Sequence, residues 1–459
     1  MTDHRQRESQ ALQGSLKAVT KIEGKGDPKI GIEEFMAVAE RFGFTPEALE
    51  RIRTAVAVED LGGGPFLANY YANLPETRVQ AFERIARETF GTRYAIGASS
   101  GTGALHAAFV AAGVGPGTEV ICPAIGFYAT AAAVIMANGV PVFCDVDASL
   151  SMDPQKIESL ITDRTVALAP TCVMGSVPDM DPIMAVARAH GLKVVEDCAQ
   201  SCGGQYRNQF VGTFGDIGCF SISAYKIVGG GEGGLILMDD ERLHDRALNL
   251  AEGGGLWRPE RFAPPRYEGE LFVGTNYRMS ELEAAIDGVQ LGKMPQVVDR
   301  FRQVKRQISA ELKTYREITP QKLNDPDGEV GYNLRFFPES IELGEKIVEA
   351  LKTQNIGAGM RGRNAGPDWH IYHWMFPITT RTGATPHSCS YNCDHYQNLA
   401  GERTYARGDC PVADDLYDRV ITIGLNQWYT EEDCRNVGQA IDRALAAYCT
   451  EDTSGAPWR

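Results

Sequence analysis

Short apolar segments alternate with helical patterns through the middle of this chain, and this alternation constrains its fold more than any other feature. The segments that favour strands are Tyr94–Gly97, Glu119–Pro123, Pro141–Asp145, Ala167–Pro170, Lys193–Glu196, Ile217–Ile222 and Gly234–Met238. Helical patterns between them cover Gly103–Ala112, Thr130–Asn138, Asp153–Leu160 and Asp181–His190. Strands that alternate with helices are typical of a parallel or mixed sheet covered by helices, so the sequence predicts an α/β fold.

The flanking regions have different patterns. The first 30 residues are polar, and we expect them to be loosely ordered. Helices are predicted over Ile32–Phe42, Pro46–Val56 and Thr77–Phe90, with Thr45 as an N-cap, and Gly62–Pro65 is predicted to be a loop.

Beyond Asn276 a long helical stretch is predicted to reach about Lys313 and to connect to a second, smaller region. That region has predicted strands near Gly331–Phe337 and Val420–Gly424 and a terminal helix over Thr430–Tyr448. Aromatic and histidine residues without clear periodicity fill Arg361–Asp409. This stretch is predicted to form long loops, which are often functional in compact domains.

Charge and composition exclude several classes of protein. A net charge of −15 and a pI near 5.1 argue against nucleic acid as a main partner. No run approaches the roughly 18 apolar residues of a membrane helix, and the polar amino terminus does not resemble a secretory signal. Eleven cysteines at unrelated spacings fit reduced thiols, so we expect a cytoplasmic enzyme without membrane contact.

Lys226 lies between the apolar segment Ile217–Ile222 and a glycine tract, and Asp197 follows an earlier predicted strand. A lysine can form a Schiff base with the aldehyde of pyridoxal 5'-phosphate (PLP), and an acid can keep the pyridine nitrogen protonated. Ligand groups cluster at the carboxyl ends of strands in open α/β sheets, which favours this role for Asp197 over a simple helix cap. The sequence therefore predicts a PLP site in which Lys226 and Asp197 are catalytic.

A phosphate-binding turn is predicted at Ser100, Gly101 and Thr102, between a strand and a helix. Small residues let the backbone approach a phosphate, and the start of a helix supplies N–H donors. Ser221, from the strand that precedes Lys226, is predicted to add a second hydroxyl.

Several motifs together resemble the DegT/DnrJ/EryC1/StrS family of PLP-dependent sugar aminotransferases. They keep their order and spacing between about Phe82 and Leu291 and comprise Ser99–Leu105, Pro141–Asp147, Asp179–Met184, Glu196–Gln200, Gly212–Asp216, Gly231–Gly234, Gly274–Met279 and Glu283–Ala285. The resemblance implies the aspartate-aminotransferase-like architecture, fold type I of the PLP-dependent transferases. It implies a large domain with a mixed, mostly parallel sheet and a smaller C-terminal α/β domain. We therefore expect a helical N-terminal extension over 1–60, a PLP-binding domain over 61–295 and a smaller domain over 296–459.

The resemblance also implies roles for three further residues. It places Gln200 near the phenolic oxygen of the cofactor and Phe127 against the pyridine ring. It implies that Asn276 reaches the phosphate side of the neighbouring subunit's site, which requires a homodimer.

By the same resemblance, the activity is transfer of an amino group from glutamate or glutamine to a keto sugar or keto cyclitol in sugar or antibiotic biosynthesis. Lys226 argues against the dehydratases of the family, in which a histidine replaces the lysine. Two differences from the family leave the acceptor open: Cys172 stands in a segment that usually carries a histidine, and the loop around Trp369 and His370 is unusual. Another PLP-dependent reaction (decarboxylation, elimination or an amino-acid transformation) and a regulatory protein without turnover are the alternatives.

Two further motifs point to other chemistry. Gly97–Gly101 matches the G-x-S-x-G pattern of hydrolases, but no ordered acid and histidine support that interpretation. A cluster of histidine and cysteine side chains could bind zinc, yet its short mixed spacings are weak evidence, and no metal is expected. The cluster consists of His387, Cys389, Cys393 and His395.

Overall fold

The computed structural model describes residues 2–12, 30–61, 67, 75–255, 263–382, 390 and 403–459. Contacts divide the chain into two units, Met1–Leu67 and Ala68–Arg459. The predicted loop Gly62–Pro65 lies outside the described residues.

The first unit contains three helices, α1 (Thr2–Leu12), α2 (Ile32–Ala39) and α3 (Pro46–Ala55). At the start of α3, the Thr45 hydroxyl accepts a hydrogen bond from the Ala48 N–H at 3.3 Å, which confirms the predicted N-cap. Helix α1 was not predicted, because its polar sequence carries no apolar stripe.

The second unit is built on a seven-stranded sheet with the strand order β1-β9-β8-β5-β4-β2-β3. Its strands are β1 (Tyr94–Ala98), β2 (Glu119–Pro123), β3 (Val140–Cys144), β4 (Thr165–Leu168), β5 (Lys193–Asp197), β8 (Ile217–Ser221) and β9 (Gly234–Met238); a small hairpin, β6 (Gln205–Tyr206) and β7 (Gln209–Phe210), lies between β5 and β8. Each strand predicted between residues 94 and 238 is present within two residues. Of the seven strands, only β9 runs opposite to the others, so the sheet is mixed and mostly parallel.

Helices cover both faces of this sheet. They include α4 (Arg78–Phe90), α5 (Gly101–Ala111), α6 (Ala129–Met136), α7 (Pro154–Ile157), α8 (Met180–His190) and α9 (Glu241–Ala251). Val194 belongs to one buried cluster and its neighbour Val195 to another, because successive strand side chains point to opposite faces. The sheet is therefore an interior layer with an apolar core on each side, as expected for an α/β fold.

A smaller antiparallel sheet follows, with the order β10-β11-β13-β12. Its strands are β10 (Ile318–Pro320), β11 (Asn333–Pro338), β12 (Ala358–Met360) and β13 (Ile421–Gly424). The described part of this region also contains the α-helices α10 (Glu281–Ala310), α11 (Ile341–Thr353), α12 (Phe376–Thr379), α13 (Pro411–Arg419) and α14 (Glu431–Ala446).

Helix α10 contributes to the cores of both sheets. Leu291 lies in a cluster of the large sheet, and Ile308 lies in the cluster of the small one. The expected domain boundary between residues 295 and 296 falls inside this helix, and it stays a prediction.

Among the described residues, no helix is both long and apolar enough to cross a membrane.

Candidate active site

The carboxyl ends of three strands of the large sheet bring the predicted site residues to one edge. Strands β5 and β8 run parallel, and β1 has the same direction because β9 is antiparallel to both β1 and β8. Asp197 ends β5, Ser221 ends β8, and Ser100 follows β1. This is the edge at which open α/β sheets bind ligands.

Asp197 is a buried carboxylate with two internal hydrogen bonds. Only 3% of the residue is exposed. One oxygen, Oδ2, accepts a hydrogen bond from the Thr130 hydroxyl at 2.5 Å, and Oδ1 accepts one from the Ala199 N–H at 3.1 Å. Burial raises the pKa of Asp197, while these hydrogen bonds and the charge of Lys226 oppose that rise.

The surroundings of Asp197 are rich in buried thiols. Burial raises the pKa of each thiol, and the nearby charge of Asp197 adds to the rise for Cys122, Cys172, Cys198 and Cys219. A carboxylate in such apolar surroundings has little water to solvate it. A cationic partner such as a protonated heterocycle would therefore stabilise the charged form of Asp197.

Lys226 borders a cavity of about 440 Å³ that is also lined by Gln200, Tyr332, Asn333 and His370. Burial lowers the pKa of the Lys226 amine, and the negative charge of Asp197 opposes that shift. A lower pKa increases the fraction of neutral amine, which is the form that attacks an aldehyde. Lys226 is therefore suited to condense with a carbonyl group inside the cavity.

The glycine tract after Lys226 folds back onto the strand that precedes it. The Ala224 N–H donates to the Gly231 carbonyl and the Ile222 N–H to the Gly233 carbonyl, both at 2.9 Å. Gly231 has a φ of +143° and Gly233 a φ of +154°, a region that residues with a Cβ rarely adopt. The glycines therefore allow the chain to reverse beside the lysine.

The turn between β1 and α5 packs directly on the end of β8. The Ser100 hydroxyl caps α5 by accepting the Gly103 N–H at 3.0 Å. A Cβ at Gly101 would lie 2.7 Å from the Ser221 Cβ, so only glycine permits this approach. Thr102 follows in the first turn of α5. Three hydroxyl-bearing residues and the N–H groups at the start of an 11-residue helix therefore lie close together, a suitable arrangement for a phosphate.

Gln200 lies in the wall of the Lys226 cavity. Its side-chain oxygen accepts a hydrogen bond from the Met174 N–H at 2.7 Å, and its backbone carbonyl accepts one from the Tyr332 hydroxyl at 2.9 Å. These contacts fix the amide group at the cavity, while its approach to the phenolic oxygen of the cofactor stays a prediction.

Phe127 lies beside the same cavity through its contact with His370. The ring centroids are 5.2 Å apart, and Phe127 is 42% exposed. The His370 N–H and its Nδ1 both lie within 3.0 Å of Asp368 Oδ1, and the other Asp368 oxygen accepts a hydrogen bond from the Tyr417 hydroxyl at 2.9 Å. The His370 contact lowers the pKa of Asp368 most strongly. A charged carboxylate thus orients the histidine at the cavity.

Asn276 is exposed, and its side-chain oxygen accepts a hydrogen bond from the Arg278 N–H at 3.2 Å. It adjoins Tyr277, whose carbonyl accepts the Ser99 N–H at 2.7 Å, so its segment is attached to the predicted phosphate turn. Its role toward a neighbouring subunit stays a prediction.

Neither the contact of Thr130 with Asp197 nor the contacts among Asp368, His370 and Tyr417 were predicted from the sequence. Thr130 was assigned only to a helix, and the loop around His370 was expected to be functional without a stated role. The four histidine and cysteine residues considered as a zinc cluster, for which no metal is expected, lie outside the described residues, in 383–389 and 391–402. The part of the chain that the structure describes holds no group of three potential metal-binding side chains.

The side chains fit PLP at three separate points. The glycine-lined turn has room and donors for the phosphate, the buried Asp197 suits the ring nitrogen, and the amine of Lys226 borders the cavity. The phosphate turn, the buried acid and the lysine amine together match three different parts of the same cofactor.

Comparison with known proteins supports the same assignment. Residues 70–361 match the model of the DegT/DnrJ/EryC1/StrS aminotransferase family. The chain belongs to this family. It is a PLP-dependent aminotransferase, and the expected fold type I is confirmed.

Two relatives and one solved structure illustrate the range of the family. GDP-perosamine synthase of Caulobacter vibrioides is 40% identical over 297 residues, which cover 64% of this chain and 77% of the relative. L-glutamine:2-deoxy-scyllo-inosose aminotransferase of Streptomyces fradiae is 36% identical over 272 residues, 58% of this chain and 63% of the relative. The structure of an aminotransferase from Psychrobacter cryohalolentis superimposes with a TM-score of 0.68 at 24% identity, over 88% of this chain and 98% of that one.

Replacing Thr130 with valine tests whether its hydroxyl keeps Asp197 charged. Thr130→Val retains the side-chain shape but removes the donor to a buried carboxylate, a contact that contributes about 1.5–3 kcal/mol. We expect PLP to bind about 10 to 100 times more weakly, measured by titrating the apo protein and following its fluorescence.

The matched control is Thr165→Val, a buried threonine at the far end of β4. It should bind PLP like the wild type. Equal PLP affinity for Thr130→Val and wild type would contradict the role assigned to Thr130.

Proposed function

We propose that this aminotransferase moves an amino group from glutamate or glutamine to the ketone of a keto sugar or keto cyclitol, in sugar or secondary-metabolite biosynthesis. The observation that carries the proposal is that the buried Asp197 and the Lys226 amine, which borders the cavity, interact through their opposite charges in a member of this family. The named activities of the relatives support amino transfer to carbohydrate or cyclitol ketones.

Bound PLP supplies an electron sink that stabilises negative charge on the carbon next to the transferred nitrogen. Asp197 would hold the ring nitrogen in its protonated form, because its buried carboxylate favours a cation. The Lys226 amine would hold the cofactor aldehyde, and as a free amine it would serve as the base that moves a proton at the substrate carbon.

The cavity is polar where a hydroxylated acceptor would enter. Gln200, Asn333 and His370 line it together with the aromatic ring of Tyr332. Hydrogen-bonding groups that converge in one cavity are suited to orienting a sugar or cyclitol. Asp368 orients His370 through two contacts, one from the backbone N–H of His370 and one with its ring Nδ1.

We also propose that the enzyme is a homodimer in which Asn276 reaches the phosphate side of the neighbouring site. Two large apolar side chains near the site are almost fully exposed: Tyr225, next to Lys226, at 100% and Val273, near Asn276, at 94%. Exposed apolar side chains clustered around a site are typical of a surface that a partner covers.

A cytoplasmic location is part of the proposal and rests on the sequence alone.

A half-reaction without acceptor tests the amino transfer. With glutamate or glutamine, the PLP-loaded enzyme should release one equivalent of keto acid per site, and denaturation should then release pyridoxamine phosphate. Lys226→Ala, the control, should form no keto acid above background while its circular dichroism spectrum is unchanged. Release of carbon dioxide or ammonia, with the cofactor recovered as PLP, would show another reaction on the same scaffold.

Mixing two inactive variants tests the shared site. Heterodimers of Lys226→Ala with Asn276→Ala contain one site that has both side chains if Asn276 acts across the interface. Since half of the dimers in an equal mixture are heterodimers, about a quarter of wild-type activity should return after subunit exchange. If activity stays at the level of the separate variants although exchange is complete, Asn276 does not act on the neighbouring site.

A further inference from the structure

We propose that Arg335 is a positioning residue, which holds Gln200 at the Lys226 cavity by fixing the backbone of Met174. The proposal rests on the proposed PLP site and adds to it a residue from the small sheet. Arg335 belongs to β11 and is absent from the lining of the cavity, so it acts through other groups.

The segment that orients Gln200 has an unusual backbone. Met174 has a φ of +49° and Gly175 a φ of +93°, so two consecutive residues adopt left-handed conformations. A residue with a side chain adopts this region at an energetic cost and keeps it only where neighbouring contacts hold it there. At Met174 this conformation accompanies the N–H contact to the Gln200 side-chain oxygen, at 2.7 Å.

The carbonyl of Met174 is held from the small sheet. The guanidinium of Arg335 donates to it at 2.5 Å, and the amide of Asn333 donates to it at 3.2 Å. A hydrogen bond from a charged donor is about twice as strong as a neutral one. Arg335 therefore makes the stronger of the two contacts that fix the Met174 peptide.

Arg335 is itself rigidly placed. It is 4% exposed, and its other terminal nitrogen donates to Gln321 at 3.2 Å and to the Ser176 hydroxyl at 3.4 Å. Gln321 also donates to Ser176 at 3.0 Å, which closes a small network. Within the described ranges, no carboxylate lies within ion-pair distance of Arg335, so its acceptors are neutral carbonyl and hydroxyl groups.

A second contact from the same region supports the opposite side of Gln200. The Tyr332 hydroxyl donates to the Gln200 carbonyl at 2.9 Å, and a Cβ at Gly175 would lie 2.9 Å from the Tyr332 ring. The small sheet thus contacts both the backbone and, through Met174, the side chain of Gln200. Without Arg335, the Met174 peptide would lose its charged donor, and Gln200 would lose a fixed partner.

The test compares Arg335→Met and Arg335→Lys with Arg419→Met. Arg419 also donates to a backbone carbonyl of β11, that of Pro338 at 2.7 Å, but at the other end of the strand. The lysine variant can still donate one hydrogen bond and carries the test if the methionine variant does not fold.

The first measurement uses the apo protein. Amide hydrogen exchange in a peptide that spans residues 171–177 should be about tenfold faster in Arg335→Met than in wild type, with Arg335→Lys between them. Arg419→Met should leave that peptide unchanged. This readout needs no bound cofactor, so it reports on Arg335 even if the proposed function fails. Unchanged exchange in both Arg335 variants would overturn the proposal.

The second measurement is a double-variant comparison of PLP affinity. Arg335→Met should weaken PLP binding about tenfold in the wild-type background but less than twofold in a Gln200→Ala background, because both changes remove the same contact. Fully additive effects would overturn the proposal. So would an Arg335→Met enzyme with normal PLP affinity and a raised KM for the amino donor alone, since Arg335 would then bind the donor directly. A wild-type protein that binds no PLP would overturn the proposed function instead.

Discussion

The site depends on one electrostatic constraint, the burial of the Asp197 carboxylate among apolar groups and thiols at the end of β5. Burial alone would neutralise such an acid. Thr130 and Ala199 each donate a hydrogen bond to it, and the positive charge of Lys226 acts in the same direction. A cationic ring nitrogen is the kind of partner that would compensate the charge of Asp197, and this pairing stays a prediction.

The topology of the large sheet places the other parts of the site around that charge. Because β1, β5 and β8 share one direction, their carboxyl ends supply the phosphate turn, the acid and the approach to the lysine at a single edge. The small sheet completes the cavity from the opposite side through residues of β11 and β13. The two sheets share α10, which contributes side chains to both cores.

Much of this could be predicted from the sequence, since strand and helix periodicity and the local motifs around Asp197 and Lys226 are short-range signals. Thr130 lies 67 residues before Asp197, and Arg335 lies 161 residues after Met174. Such contacts arise only when distant segments pack together, and neither residue stands in a distinctive motif. Helix α1 and the β6–β7 hairpin were missed because the first is uniformly polar and the second has strands of two residues.

The most direct measurement is borohydride reduction of the PLP-loaded protein followed by peptide mass spectrometry. We expect one stable pyridoxyl phosphate adduct per chain, on the peptide that contains Lys226, and none there in Lys226→Ala. Asp197→Asn, which removes the proposed partner of the ring nitrogen, should give less adduct at the same PLP concentration. A wild-type chain that remains unmodified at Lys226, or that carries the adduct at another lysine, would contradict the central claim.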